Sequence, residues 1–169
     1  DWQVSEQTYR GKKMNKQILV VDNNPVMLKL MSSILEKEGH QVRAVDSGLA
    51  ASEILRNYTP DVILTDLEMP NINGEKLCRI VRSMPELEDV QIIILSAIAA
   101  DKNIDFTEFG ANACIAKGPI NQIKRHVLDV LEELDKGDIT VDDALKKIPV
   151  VLLSTIDEKN MFYLHLKEI

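Results

Sequence analysis

Polar residues suited to phosphate and metal chemistry stand at the ends of four short apolar runs. Asp22 and Asn23 follow the first run, Asp66 the third, Ser96 the fourth and Lys117 the fifth. Carboxylate and amide oxygens suit Mg²⁺, whereas a lysine ammonium and a serine hydroxyl suit a phosphoryl group. An Asp carboxylate can also attack a phosphoryl donor and form an aspartyl phosphate. These residue types form one coherent set if the fold brings them together.

Five apolar runs rich in Ile, Val and Leu supply the elements that would position these residues. Their nearly continuous apolar character is typical of parallel strands that are buried on both faces. We therefore predict five buried strands, at residues 17–21, 41–45, 61–65, 90–95 and 113–116.

Helical patterns alternate with the predicted strands. Apolar residues spaced for one helical stripe run from Met27 to Leu35, with Asn24 as a cap, Pro25 in the first turn and Gly39 at the end. Similar stripes occur at residues 77–84 and 123–134, and weaker ones at 49–57 and 103–109.

Five strand–helix units over residues 16–135 predict an α/β domain, a doubly wound parallel sheet with helices on both faces. Ligands bind such sheets outside the carboxyl ends of the strands, where the polar residues above are placed. Residues 1–15 show no periodic pattern and are interpreted as an N-terminal tail. Residues 136–169 regain helical character after a turn and are interpreted as a helical linker or extension.

The composition of the chain disfavours several classes of function. The 169 residues carry a formal charge of -7, which disfavours binding of this chain to nucleic acid or to an anionic membrane. Two cysteines are too few for a disulfide framework or a four-thiolate zinc site. No apolar run is long enough to span a bilayer and no secretory signal is visible, so we expect a cytoplasmic protein.

Four stretches resemble the receiver domains of two-component response regulators. They are residues 18–25 (ILVVDNNP), 61–70 (DVILTDLEMP) with Gly74 four residues after the proline, 94–97 (ILSA) and 110–117 (GANACIAK). They occur in the family's order, each at the end of a predicted strand, over residues 16–135. The resemblance implies a flavodoxin-like or CheY-like fold with strand order 2-1-3-4-5.

The resemblance also implies a role for each matching residue. Asp66 would accept a phosphoryl group from a histidine kinase or phosphotransfer protein, or from a small acyl phosphate. Mg²⁺ would be held by Asp22, Asn23, Asp66 and the backbone carbonyl of Glu68. Ser96 would hydrogen-bond to the phosphoryl oxygens and Lys117 would pair with them. Phosphorylation would shift the domain between conformations, as a signalling module rather than an enzyme beyond its own phosphorylation and dephosphorylation.

Several positions depart from the family's pattern. Asn23 stands where the family usually has a second acid, and the Glu68 carboxylate would return one negative charge nearby. Cys114 replaces the aromatic residue that usually reports switching. Gly118 separates Lys117 from Pro119, where the family often has proline directly after the lysine in a cis peptide.

Three alternatives accompany the phosphorylation hypothesis. A pseudo-receiver would use the same fold as a phosphorylation-independent interaction module, and the altered acid pair favours it. A haloacid-dehalogenase-type phosphatase would carry its Asp-x-Asp motif on the first strand, and a flavodoxin would need a phosphate loop there; neither feature is present. The chain lacks an initial Met and stops inside an amphipathic pattern, which is compatible with a fragment of a larger receiver-containing protein. A homodimer is also compatible with the sequence.

Overall fold

The computed structural model describes residues 15–97 and 106–135. In chain order, its strands and α-helices are β1 (Gln17–Val21), α1 (Pro25–Lys37), β2 (Gln41–Val45), α2 (Gly48–Ile54), β3 (Val62–Asp66), α3 (Gly74–Arg82), β4 (Gln91–Ser96), β5 (Ala113–Ala116) and α4 (Ile120–Asp135). Two short 3₁₀ helices, Pro85–Leu87 and Phe106–Phe109, precede β4 and β5.

The five strands form one parallel sheet in the order β2-β1-β3-β4-β5, which confirms the predicted fold. The order places β1, β3 and β4 in the interior, and α1, α2 and α3 lie in the connections that lead from β1 to β4. Residues alternate between the two faces of the sheet, and each face has its own apolar core. Because all strands point the same way, the residues at their carboxyl ends share one edge.

Helices cover both faces of the sheet. On one face, α1 and α4 pack through Met31, Leu35 and Val127 onto inward-facing residues of the strands. On the other face, α2, α3 and the Phe106–Phe109 turn pack with Cys114 into a second core. This two-sided burial explains why the central strands are nearly continuous in apolar character.

Helix α1 begins and ends at the residues that the sequence predicts. The Asn24 side chain accepts hydrogen bonds from the backbone N–H groups of Val26 and Met27, and Pro25 occupies the first turn. Gly39 follows the helix with φ of 91°, a conformation that glycine adopts without strain. The predicted cap and stop are therefore confirmed.

Three sequence predictions need correction. β2 is a half-exposed edge strand rather than a buried one, because only β1 pairs with it and Arg43 and Ala44 face solvent. β3 and β4 each begin and end one residue later than predicted, so Asp66 and Ser96 are their last residues. Helix α2 ends at Ile54, three residues before the end of the predicted pattern.

Arg82, at the end of α3, connects three segments on the second face. Its Nε donates to the carbonyl oxygen of Gly110 at 2.9 Å, and its Nη1 donates to that of Val90 at 2.9 Å. Nη2 donates to Oδ1 of Asn112 at 2.8 Å, and the same oxygen accepts the Ile92 N–H at 2.8 Å. The segment that leads into β5 is thereby fixed against α3 and β4.

Lys16 and Asp135 form an ion pair at the amino edge of the sheet, opposite Asp66. Lys16 lies just before β1 and Asp135 is the last residue of α4, so the two ends of the sheet domain are adjacent. No helix within the described ranges is long and apolar enough to cross a membrane.

Some predicted segments lie outside the described residues. They are the tail at 1–14, the helical linker or extension at 136–169, and the first part of the helical pattern at 103–109. The described part of that last pattern is a single 3₁₀ turn.

Candidate functional site

Backbone pairing continues past the strands and fixes the polar residues at the carboxyl edge. The N–H of Asp22 donates to the Val45 carbonyl at 3.2 Å, and the N–H of Lys117 donates to the Ser96 carbonyl at 2.9 Å. Asp66 is the last residue of β3 and pairs in register with Leu95. Each side chain therefore starts from a rigid position in the sheet, as precise placement requires.

The Lys117 ammonium joins two buried carboxylates. Its Nζ lies 3.0 Å from Oδ2 of Asp22 and 3.2 Å from Oδ1 of Asp66. The Asp22 and Asp66 side chains are only 3% and 8% exposed, and that of Lys117 is 19% exposed. One positive charge is thus shared by two negative charges, and the group of three carries a net charge of about -1.

Backbone N–H groups hold the two carboxylates as well. Oδ1 of Asp22 accepts the N–H of Asn24 at 2.8 Å. Oδ1 of Asp66 accepts the N–H of Glu68 at 3.4 Å, in addition to the Lys117 contact. Within residues 15–97 and 106–135, both of these contacts of the Asp66 carboxylate fall on Oδ1 rather than on Oδ2.

Glycine at position 74 allows α3 to begin directly against the site. A Cβ there would lie 2.5 Å from the carbonyl oxygen of Asp66 and 2.9 Å from Cα of Leu67, which no side chain can accommodate. The Gly74 N–H donates to the Leu67 carbonyl at 2.9 Å. The loop from 67 to 73 is therefore closed tightly over the end of β3.

The electrostatic environment raises the pKa of Asp66. Burial is the main cause, and the negative charge of Asp22 acts in the same direction. The Lys117 ammonium and the hydrogen bonds from Lys117 and Glu68 oppose the shift without cancelling it. A raised pKa makes the carboxylate more basic and favours its pairing with an added cation.

A cleft of about 600 Å³ opens beside Leu67 and Glu68, the two residues that follow Asp66. Its lining combines polar residues with apolar ones, and consists of Asn23, Leu67, Glu68, Met69, Pro70, Asn73, Glu75 and Phe109. The cleft lies beside the loop that follows β3, so a partner or a small phosphodonor has room to approach this loop.

The donor set at this edge fits a hard dication. Asp22 and Asp66 offer carboxylate oxygens, Asn23 an amide oxygen and Glu68 a backbone carbonyl, and Mg²⁺ prefers such oxygen ligands together with water. Across residues 15–97 and 106–135, no group of three or more His, Cys, Asp or Glu side chains is arranged to hold a metal. An ion here would thus use two carboxylates, neutral oxygens and water.

The structure brings most of the predicted site residues together. Asp22, Asp66 and Lys117 are in direct contact, and Asn23 and Glu68 line the adjoining cleft. Ser96 is fully buried at the end of β4 and is joined to Lys117 through the backbone.

Sequence reasoning missed two contributors to the site. Phe109 lines the cleft although it lies 43 residues beyond Asp66 in the chain, and no local pattern marks it. Asn24 was assigned only a capping role, yet its N–H also holds Asp22. The signal available for Asn24 was its position two residues after an Asp, where a turn closed by the side chain is common.

Two of the unusual positions noted in the sequence, Cys114 in β5 and Gly118 in the loop after it, lie within the described residues. Cys114 is 4% exposed and lies among apolar residues, and burial raises the pKa of its thiol. Within the described residues no peptide bond is cis, so the Gly118–Pro119 bond is trans.

Comparison with known proteins places these features in context. Residues 18–128, more than half of the chain, match the sequence model of the response regulator receiver domain. A gliding motility regulatory protein of Myxococcus xanthus is 33% identical over 106 residues, which is 62% of this chain but 14% of that protein. The polar-differentiation response regulator DivK of Brucella ovis is 29% identical over 86 residues, covering 51% of this chain and 70% of DivK.

A solved structure shares the architecture of the site-bearing domain. The receiver domain of a sensor histidine kinase from Pseudomonas aeruginosa superposes with a TM-score of 0.59 at 27% identity, covering 66% of this chain and 93% of that one. That protein holds a magnesium ion coordinated in its active site cleft. The chain described here spans only a small part of the Myxococcus protein.

Proposed function

Since the chain belongs to the response regulator receiver domain family, we propose that it works by accepting a phosphoryl group on Asp66. The main support for this proposal is a contact: the Lys117 ammonium lies within 3.2 Å of the Asp66 carboxylate and also contacts Asp22. Receiver domains are in general signalling modules that interact with histidine kinases or phosphotransfer proteins. We accordingly infer that the donor is a phosphohistidine of such a partner.

Each residue has a defined part in the transfer. Oδ2 of Asp66 attacks phosphorus as the bond between phosphorus and the donor imidazole nitrogen breaks, and the imidazole leaves with the electron pair. Lys117, already in contact with Asp66, pairs with the negative phosphoryl oxygens. The Ser96 hydroxyl hydrogen-bonds to the same oxygens when the end of β4 moves. This movement couples the negative charge of the phosphoryl group to a change in the conformation of the domain.

Mg²⁺ is the proposed cofactor, as is typical of receiver domains. It would neutralise charge that builds on the phosphoryl oxygens during transfer. Asp22, Asn23, Asp66 and the Glu68 carbonyl are the groups of this chain that would hold it. Asp22 is already fixed for this role by the Asn24 N–H and the Lys117 ammonium.

Mass spectrometry of the intact protein tests the proposal. The folded chain is incubated with phosphoramidate or acetyl phosphate, with and without Mg²⁺, and is compared with Asp66→Asn. Asp61→Asn is the matched control, because Asp61 lies just before β3 and caps the Gln17 N–H at the opposite edge. We expect one Mg²⁺-dependent phosphoryl group on the wild type and on the Asp61 variant, removable by hydroxylamine, and none on the Asp66 variant.

The same experiment separates the second candidate function. Asn23 in place of an acid favours a pseudo-receiver that binds partners without phosphorylation. No mass gain on a folded wild-type protein at any Mg²⁺ concentration would contradict the phosphorylation proposal and support the pseudo-receiver.

A further inference from the structure

We propose that the Glu68 carboxylate binds a water on the Mg²⁺ ion and thereby supplies the negative charge that Asn23 does not. The inference rests on the proposed function, because it concerns the same Mg²⁺ site that Asp22 and Asp66 would help to form. It assigns a role to a side chain of this chain, beyond that of the Glu68 backbone carbonyl.

Position is the first support. The N–H of Glu68 donates to Oδ1 of Asp66, which fixes the backbone of residue 68 beside the carboxylate. The Glu68 side chain is exposed and lines the same cleft as Asn23. Both side chains therefore lie in the cleft next to the proposed metal site.

Charge is the second support. Asp22 and Asp66 share one ammonium, so they offer a net charge of about -1 to a dication. Asn23 adds a neutral oxygen only. Over residues 15–97 and 106–135, the Glu68 carboxylate has neither an ion pair nor a hydrogen bond, so its charge remains available.

The contact is made through water rather than directly. Mg²⁺ gives up its waters reluctantly and usually keeps several of them. The cleft of about 600 Å³ has room for such a hydrated ion.

Glu75 provides a matched control within the same cleft. It also lines the cleft and carries the same charge, but its Oε1 accepts hydrogen bonds from Nε and Nη2 of Arg79 at 3.2 and 3.1 Å. Its charge is thus already partly compensated by a neighbouring guanidinium. A general effect of negative charge on cation binding would appear at both positions, whereas a specific role would appear at Glu68 alone.

The test is calorimetric titration of Mg²⁺ into the full chain at fixed ionic strength. The proteins are wild type, Glu68→Gln, Glu75→Gln, Asn23→Asp and the double variant with Asn23→Asp and Glu68→Gln. Coulomb attraction across one water predicts that Glu68→Gln weakens Mg²⁺ binding about fivefold. Glu75→Gln should change binding by less than about twofold.

The Asn23→Asp background gives the decisive comparison. An acid at position 23 coordinates the ion and displaces the water that Glu68 holds, so the loss on Glu68→Gln should fall to less than about twofold. Amide chemical shifts of residues 22–24 and 66–68 on Mg²⁺ addition identify the site as the one described. This readout is independent of phosphorylation.

Distinct results overturn the inference and the proposed function. An equal loss for the Glu68 and Glu75 variants, or an equal effect of Glu68→Gln in both backgrounds, would refute the role of Glu68 while leaving the metal site in place. Binding by Asn23→Asp but not by wild type would refute it as well. Failure of both wild type and Asn23→Asp to bind Mg²⁺ would instead contradict the metal step of the proposed function.

Discussion

Replacing Lys117 with methionine tests how the two buried carboxylates are kept together. The substitution retains the length of the side chain and removes the ammonium that contacts Asp22 at 3.0 Å and Asp66 at 3.2 Å. Both carboxylates then remain buried and keep their backbone N–H contacts but have no cation beside them. Removing one member of a buried ion pair costs about 3–5 kcal/mol, and the partial exposure of Lys117 places this case near 3 kcal/mol.

The pH dependence of this loss has a definite sign. Burial and Asp22 raise the pKa of Asp66 in the native protein, and Lys117 is the main influence that opposes them. Without Lys117 the folded-state pKa of Asp66 rises further above its unfolded value. The variant's stability is therefore greatest below the unfolded pKa and is lost as pH rises through the folded pKa. The difference from wild type should be largest at neutral pH and smaller in mild acid.

Urea unfolding followed by far-ultraviolet circular dichroism measures the effect. With a slope of about 2 kcal/mol per molar urea, a loss of about 3 kcal/mol lowers the midpoint by about 1.5 M. Lys117→Arg retains the positive charge and should lose much less. Adding Asp66→Asn to the methionine variant removes the repulsion with Asp22 and should restore more than half of the loss.

Two results would refute this reasoning. One is a methionine variant whose stability at neutral pH is within about 0.5 kcal/mol of wild type. The other is a loss that Asp66→Asn does not reduce, since the stabilising effect of Lys117 would then not come from neutralising the two carboxylates.

Two further predictions concern the second face of the sheet. Gly110→Ala should lower the free energy of unfolding by about 2–3 kcal/mol, because Gly110 has φ of 89° and a Cβ would lie 2.6 Å from Cγ of the hydrogen-bonded Arg82. Gly39→Ala, with φ of 91° and no atom within 4 Å, should lose only about 1 kcal/mol in the same urea assay, and equal losses would contradict the steric argument. Burial raises the pKa of Cys78 to about 12 and that of Cys114 as well, so both thiols should react with a disulfide reagent at pH 8 only as fast as the protein opens. A fast reaction of the native protein would contradict their buried placement.

The sheet could be predicted from the sequence because its interior strands carry their own signal. A strand covered by helices on both faces needs apolar residues at most of its positions, and the central residues of β1, β3 and β4 show this directly. β2 shows why burial could not be predicted equally well. Edge position alone does not decide exposure, because β5 is the other edge strand and is buried. The exposure of β2 depends on which distant parts of the chain cover it, and the strand's own residues do not show this.

The charged centre of the site was predictable for a similar reason. Asp22, Asp66 and Lys117 each stand at the end of a recognisable strand, so the parallel sheet alone brings them to one edge. The cleft beside them was not predictable, since Phe109 reaches it from a 3₁₀ turn that has no helical periodicity. The hydrogen-bond network around Arg82 could not be predicted either. The partners of Arg82 are mostly backbone carbonyls, which any residue can offer.

The ion pair between Lys16 and Asp135 has a consequence for chain connectivity. Because the start of β1 and the end of α4 touch, a short covalent link could join them without altering any strand neighbour. The chain could then be opened at a surface turn elsewhere, giving a circular permutant with the same sheet. The order in which the strands are synthesised is therefore separable from the order in which they pair.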